Sequence, residues 1–370
     1  MHDGKNTVNL GEISSDHTVD KKYDAYIGTA WGHFYFAALG ELTARNVKDI
    51  YMKTALLRIP FAGIGLLGLI VMALSVIRLF GGNRTVRLLF LTVFAAFELL
   101  SIPLVLHLRE VRYYSLALFL SSCIFYIYLG YRLFRKINSA VYILAAAALL
   151  VVLFNTFSPA YFVFVLSVGL HEAIGLLRHK KMKEFSLSIM PLAISVIPVL
   201  TEMVFFHIAD ISREYFKSIP ISTFALLRNH IISISFFFLR LDILPIAISA
   251  KILLIGLWMY FRRRGLLIGD RMIKIRQKLW VSNFLSIFFI IYVVVIIRVP
   301  LLVLYQRYYI ILQPVLAAFL VIDIFTIFEL VSFSDSIVFR KRGAAIVACI
   351  MCYQFLIYGI SKNDVIHGHI

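Results

Sequence analysis

The chain has 370 residues, 61% of them hydrophobic and only 15% charged, with a formal net charge of +17. That is more apolar surface than a soluble core can hide, and it arrives in blocks of roughly twenty residues, the length that spans a bilayer, so a soluble globular domain is excluded. The positive balance does not point to a nucleic-acid partner. The Lys and Arg residues sit mainly in short clusters between apolar blocks, where the preference of basic loops for the cytoplasm accounts for them.

In chain order, residues 1–58 are polar and hold seven of the chain's 20 acidic residues. Apolar segments follow at 59–79, 86–106, 114–133, 139–157, 160–177, 185–206, 241–261, 279–298, 308–332 and 344–361. The expectation is an all-α polytopic transmembrane protein of about ten spans. Basic clusters follow the first, third, fifth, seventh and ninth segments: GGNRTVR, RLFRK, RHKKMK, FRRRGLLIGDRMIKIRQK and FRKR. All five therefore fall on one side, which the positive-inside rule makes cytoplasmic.

The same parity places residues 1–58, LHLREVRYY, NTFSPA, the 207–240 stretch and RVPLLVLYQRYY outside. The chain thus divides into an extracytoplasmic first loop with short interfacial helices (1–58), a first block of transmembrane helices (59–206), an extracytoplasmic amphipathic or re-entrant segment (207–240) and C-terminal transmembrane helices (241–370). Since no apolar signal segment precedes the polar opening, a first transmembrane helix is expected upstream of Met1, with direct translocation of a short polar tail as the alternative.

The chemistry-bearing residues on the outer side are mostly cations and aromatics. Arg109, Arg112, Arg298 and Arg307 sit on outer boundaries against the positive-inside trend. Each reads either as a phosphate ligand, because the guanidinium fork holds two oxygens at once, or as a snorkelling anchor. Tyr113, Tyr114, Tyr308 and Tyr309 beside them read as orienting groups or as an aromatic belt. Glu110 reads as a local ion-pair partner or as a group positioning an arginine. His33 reads as a ligand or a local hydrogen-bonding group.

Glu98, His171, Glu172, Lys251 and Asp323 lie inside apolar blocks, where an ionisable group is costly. Of these, His171 and Glu172 are expected to pair with the RHKKMK cations, and Lys251 is assigned no role. Cys123, Cys349 and Cys352 lie in apolar blocks and read as buried thiols; their spacing offers no metal site.

Three outer segments carry a resemblance. GTAWGHFYFAALGEL followed by ALLRIPFAGIGLLGLI, then LREVRYYSLALFLSSCIFYIYLGYRLF, then QRYYIILQPVLAAFLVI resemble, in order and side, the first loop, an early helix and a late helix of the GT-C glycosyltransferases. The similar branch is that of bacterial protein O-mannosyltransferases and lipid A aminoarabinose transferases.

The resemblance implies a membrane enzyme that moves a sugar from a polyprenyl-phosphate donor to a glycan, lipid or protein acceptor outside a bacterial plasma membrane. It implies a substrate site that includes His33, Arg109, Glu110, Arg112, Tyr113, Arg307 and Tyr308, and no organic cofactor. It also implies a catalytic carboxylate just after the first membrane helix. Asp3, Glu12, Asp16, Asp20 and Asp24 are candidates by type, with Asp3 and Asp24 the first to test, or the residue precedes Met1. Loss of that carboxylate would leave this chain with little or no activity. A flippase of lipid-linked intermediates, an O-antigen-type polymerase and an inactive scaffold are the rival readings; no internal repeat supports the flippase, and the large N-terminal outer segment disfavours the polymerase.

Overall fold

The computed structural model of the chain describes residues 19–20, 25–26, 32–81, 84–205, 224–225, 227–232, 244–265, 269–297 and 306–331. The main helices of this part of the molecule are α1 (Gly32–Ala44), α2 (Ile50–Ile77), α3 (Arg84–Leu100), α4 (Ile102–Leu108), α5 (Tyr113–Arg132), α6 (Ser139–His179), α7 (Met182–Phe205), α8 (Leu244–Arg263), α9 (Gly269–Ile297) and α10 (Leu312–Val331). The expected all-helical fold is interrupted, among the described residues, only by a two-residue antiparallel pair, Val19–Asp20 with Ala25–Tyr26.

Among the described residues, seven stretches are long and apolar enough to cross a membrane: Ile50–Phe80, Tyr113–Arg132, Ser139–Arg178, Met182–Phe205, Leu244–Arg263, Met272–Ile297 and Leu312–Val331. The chain is therefore a multi-pass membrane protein. Ten spans, as a count, are not established. The 86–106 segment breaks at Ser101 into α3 and α4, neither long enough alone, and 344–361 lies outside the described residues.

The 139–157 and 160–177 segments form one element that folds back on itself. Phe157 leaves helical geometry at φ −155° and ψ 88°. Tyr142, Ala146, Phe164 and Val168 then line one small cavity, although a straight helix would hold Ala146 and Val168 about 33 Å apart. Pro159 sits in the first turn of the second arm, where a missing backbone donor costs no helical bond.

Local sequence sets the helix ends. Asp49 caps α2 by accepting from the Tyr51 and Met52 amides at 2.7 and 3.2 Å, and Asn138 caps α6 by accepting from Val141 N at 2.8 Å. Both satisfy donors that a helix start leaves orphaned. Gly81, at φ +60°, closes the turn after α2.

The α2 and α5 helices run parallel and close. A Cβ added to Gly68 would lie 3.0 Å from the Phe119 backbone, and one on Gly65 would lie 2.9 Å from the Leu108 side chain. Small residues allow such approach where no hydrophobic force drives helices together in lipid.

The α10 helix is the hub. Apart from Gln313, Asp323, Thr326 and Glu329 it is apolar on every face, and it is buried along nearly its whole length, as expected for a helix surrounded by others. It packs on α8, α9, α3 and α2, and a cluster of aromatic side chains, including Phe125, Phe164, Phe284 and Phe288, fills the space between α5, α6 and α9. By contrast α7 and α8 expose Ile197, Leu200, Val204 and Ile252, surface that requires lipid rather than water.

Helix directions give the bundle two distinct ends. The starts of α2, α5 and α10, the Phe157 reversal, and the ends of α7 and α9 lie at one end with Tyr113. The basic stretches within 81–87, 132–136, 178–183 and 261–278 lie at the other.

Candidate functional site

At the Tyr113 end, α4 stops at Leu108 because its carbonyl accepts a hydrogen bond from Ser115 Oγ at 2.5 Å, which pins α4 to the first turn of α5 and makes residues 109–112 a short link. Arg109 and Arg112 are exposed on this link. Glu110 between them is held from both sides: His107 Nδ1 lies 2.8 Å from its Oε1 and Arg112 Nε lies 3.8 Å from its Oε2. Of the two expectations for Glu110, the local ion pair is met, and the pairing also restrains Arg112. Such a long, half-exposed pair contributes little stability.

Tyr113 is the centre of the cluster. Its ring stacks on Phe157 at 4.8 Å and 11°, touches Tyr114 at 4.4 Å, and meets His33 of α1 edge-on at 5.9 Å. A third segment arrives from late in the chain. The Tyr292 hydroxyl donates to the Tyr308 carbonyl at 2.7 Å, and Ile310 packs with Leu104, Leu108 and Tyr114. Behind it, Ser101 Oγ donates to Gln313 Oε1 at 2.7 Å in a buried bond that ties the α3–α4 break to α10. Burial pushes the pKa of the Tyr309 phenol up, so this group stays a neutral donor.

The fold thus brings together His33, Glu110, Arg112, Tyr113 and Tyr308, with Arg109 exposed at the same end. Arg307 lies in the 3-10 turn Gln306–Tyr309, and its side chain lies outside the described residues. So do Asp3, Asp24 and Arg298. Most of the 207–240 segment is likewise outside the description; His230 within it donates from Nδ1 to the Ile297 carbonyl at 2.9 Å.

Two polar groups go beyond the sequence reading: one is not singled out there although it is, like Glu98, an ionisable residue inside an apolar block, and the other joins two residues that are singled out but given no partner. The first is Glu202, near the end of α7, whose Oε2 accepts from Asn155 Nδ2 at 2.9 Å beside the Phe157 reversal. The second crosses the middle of the bundle. Lys251 of α8 lies 2.9 Å from Asp323 Oδ2 of α10, and Ser282 Oγ of α9 donates to Oδ1 at 2.5 Å. Asp323 is fully buried, so the residue assigned no role is the cation that neutralises it.

The basic end corrects a further expectation. Glu172 does not pair with the RHKKMK cations. It takes a bidentate contact from Arg132, at 2.8 and 3.1 Å, and a hydrogen bond from Tyr128 at 2.7 Å. The His171 ring instead lies against Trp280 and bonds Tyr128 at 3.0 Å. Arg132 also reaches Glu184 at 2.7 Å, beside a cavity of about 240 Å³ lined in addition by Lys181 and Trp280.

Among the described residues no three His, Cys, Asp or Glu side chains come together as a metal site. Comparison of the chain with protein-family models, curated proteins and solved structures gives no match.

Proposed function

We propose that the chain is a membrane glycosyltransferase that moves a sugar from a polyprenyl-phosphate donor to a glycan, lipid or protein acceptor on the extracytoplasmic face of a bacterial plasma membrane. The observation that carries this reading is the gathering of His33, the Glu110–Arg112 link, Tyr113 and Tyr308 at the end opposite the basic stretches. Three segments singled out in the sequence for the same resemblance come from widely separated parts of the chain and meet there.

The positive-inside rule makes the basic end cytoplasmic and the Tyr113 end extracytoplasmic. Transfer from a lipid phosphate needs cations at the phosphate and a restrained platform for the sugar. Arg109, Arg112 and Arg307 supply guanidinium forks that bind two phosphate oxygens each and stay charged beside lipid. Tyr113, fixed between Phe157 and Tyr114, offers its hydroxyl to the sugar, and His33 a polar edge beside it.

The test is transfer by the full chain in lipid nanodiscs, using labelled polyprenyl-phosphate hexoses and pentoses and an envelope extract as acceptor. Transfer that falls strongly in Arg112→Ala and Tyr113→Ala supports the reading, and absence of transfer from every donor refutes it. A second reading, a carrier of lipid-linked intermediates, draws on the Lys251–Asp323 pair at membrane depth, where transport sites place their charges. Movement of a fluorescent polyprenyl phosphate between leaflets of proteoliposomes, lost in Lys251→Met and without transfer, would favour it.

A further inference from the structure

A transferase of this kind must remove a proton from the acceptor hydroxyl, and the described rim of the Tyr113 end contains a carboxylate that no ion pair consumes. We propose that Glu202 is the acceptor base; this rests on the transferase reading above.

Glu202 is placed by the fold rather than by sequence proximity. It stands near the end of α7, and Asn155 of the first α6 arm donates to its Oε2 at 2.9 Å. Asn155 is in turn fixed by a bond to the Val151 carbonyl at 3.2 Å and precedes by two residues the reversal at Phe157, which stacks on Tyr113. On the other side the start of α1 closes on the same spot. A Cβ on Gly32 would lie 2.6 Å from Thr156 Oγ1 and 3.1 Å from the Asn155 carbonyl, so only glycine allows this contact. His33 follows directly, with its ring against Tyr113.

The rim therefore runs without interruption from Glu202 through Asn155 and Thr156 to Gly32, His33, Tyr113 and the Glu110–Arg112 link. Other carboxylates among the described residues are engaged differently. Glu110 is taken by His107 and Arg112, Glu172 and Glu184 by Arg132 at the opposite end, and Asp323 by Lys251 at mid-depth. Among the described residues Glu202 receives a neutral amide donor, which orients the carboxylate without neutralising it and leaves Oε1 for a substrate hydroxyl.

In the step this supports, the acceptor oxygen forms a bond to the sugar's anomeric carbon as the bond from that carbon to the phosphate oxygen breaks. The acceptor's proton passes to Glu202 Oε1, and the electron pair of the broken bond leaves on the polyprenyl phosphate, whose added charge the arginines at the far side of the rim receive. Asn155 is a positioning residue for the base.

The experiment compares the full chain in nanodiscs with Glu202→Gln, Glu202→Asp and Glu202→Ala, using the polyprenyl-phosphate donor that wild type accepts and measuring kcat and KM separately. General base assistance contributes roughly 10²–10⁴-fold in rate, so Glu202→Gln should lose that much in kcat with donor KM little changed. Glu202→Asp should retain intermediate turnover, and added sodium formate should restore part of the turnover of Glu202→Ala, which a purely structural hydrogen bond would not do. Glu41→Gln, which alters an exposed carboxylate of α1 paired with Lys53, should match wild type. Wild-type turnover in Glu202→Gln, or no rescue by formate in a folded Glu202→Ala, overturns the assignment while leaving the transferase reading intact. Absence of transfer by wild type with every donor overturns both.

Discussion

Replacing Lys251 by Met is expected to destabilise the bundle far more than replacing Lys251 and Asp323 together. Asp323 is wholly buried in α10, the helix that α3, α8 and α9 surround. Its carboxylate is met by Lys251 Nζ at 2.9 Å and Ser282 Oγ at 2.5 Å, and the Lys251 ammonium also lies 5.6 Å from the Phe319 ring centre. Taking away the cation leaves a carboxylate in a low-dielectric interior with one hydroxyl donor, and breaking a buried pair in this way costs about 3–5 kcal/mol. At about 1.4 kcal/mol per tenfold, that lowers the folded-to-unfolded ratio by at least about 10²-fold. Replacing both partners with apolar residues of similar volume, as in Lys251→Met with Asp323→Leu, removes the unpaired charge along with the pair and should recover most of the loss. Equilibrium unfolding in mixed detergent micelles, followed by tryptophan fluorescence, measures all four corners of the cycle. If the double variant is as unstable as the sum of the two single variants, the pair does not couple α8 to α10 and the reasoning fails.

Three further outcomes test the arrangement of the ends. Arg307→Lys should impair transfer markedly although charge is kept, because an ammonium cannot reproduce a two-oxygen contact; full activity would reassign Arg307 to membrane anchoring. Tyr113→Phe should retain more turnover than Tyr113→Ala, since the Phe157 stack (about 0.5–1.5 kcal/mol for such pairs) survives only in the former; equal losses would place the function in the hydroxyl alone. A Cys placed at Ser14 should be modified in intact cells by a membrane-impermeant thiol reagent while one at Gly269 is spared, and the reverse pattern would sink both the orientation and the transferase reading.

Much of the helical framework was legible because lipid removes the ambiguity that water leaves. A backbone in hydrocarbon must bond to itself, so each long apolar run in 59–206 had to be helical, and the 139–157 and 160–177 segments were separable because Phe157-Ser158-Pro159 interrupts them. The helix lengths were less legible. The α2 helix begins at Ile50 and α9 at Gly269, well before their apolar runs, because polar first turns project into the interface at no cost and hydropathy cannot see them. At the candidate site, His33, Glu110 and Tyr113 were readable from local pattern, yet that His33 meets Tyr113 depends on Gly32 fitting against Thr156, a contact across more than a hundred residues. Lys251, Asp323 and Glu202 were each visible as charges in apolar blocks. Which of them pairs and which does not is decided by helix rotation, and neither spacing nor composition encodes that directly.

The distribution of carboxylates follows from the same rotation and gives the two ends opposite chemistry. At the basic end Glu172 and Glu184 converge on Arg132, Lys181 also reaches Glu184, and Glu329 receives Lys278, so these acids are met by cations that join α5 to α6 and α7, and α9 to α10. The bidentate contact between Arg132 and the buried Glu172 fixes geometry there. At the Tyr113 end Glu110 stands between two exposed arginines, and Glu202 along the same rim is held by an amide instead of a cation. A surplus of guanidinium on one side and an uncompensated carboxylate on the other is what separation of a lipid phosphate from a hydroxyl acceptor requires: the phosphate gathers negative charge while the acceptor sheds a proton. Reversing that arrangement at one position tests it directly. Arg112→Glu would place like charges at positions 110 and 112 and repel the donor phosphate, so donor KM should rise while the hydrogen bond between Asn155 and Glu202, and with it the melting temperature, stays essentially as in wild type. A melting temperature that falls together with the KM change would mean that Arg112 holds the fold rather than the donor.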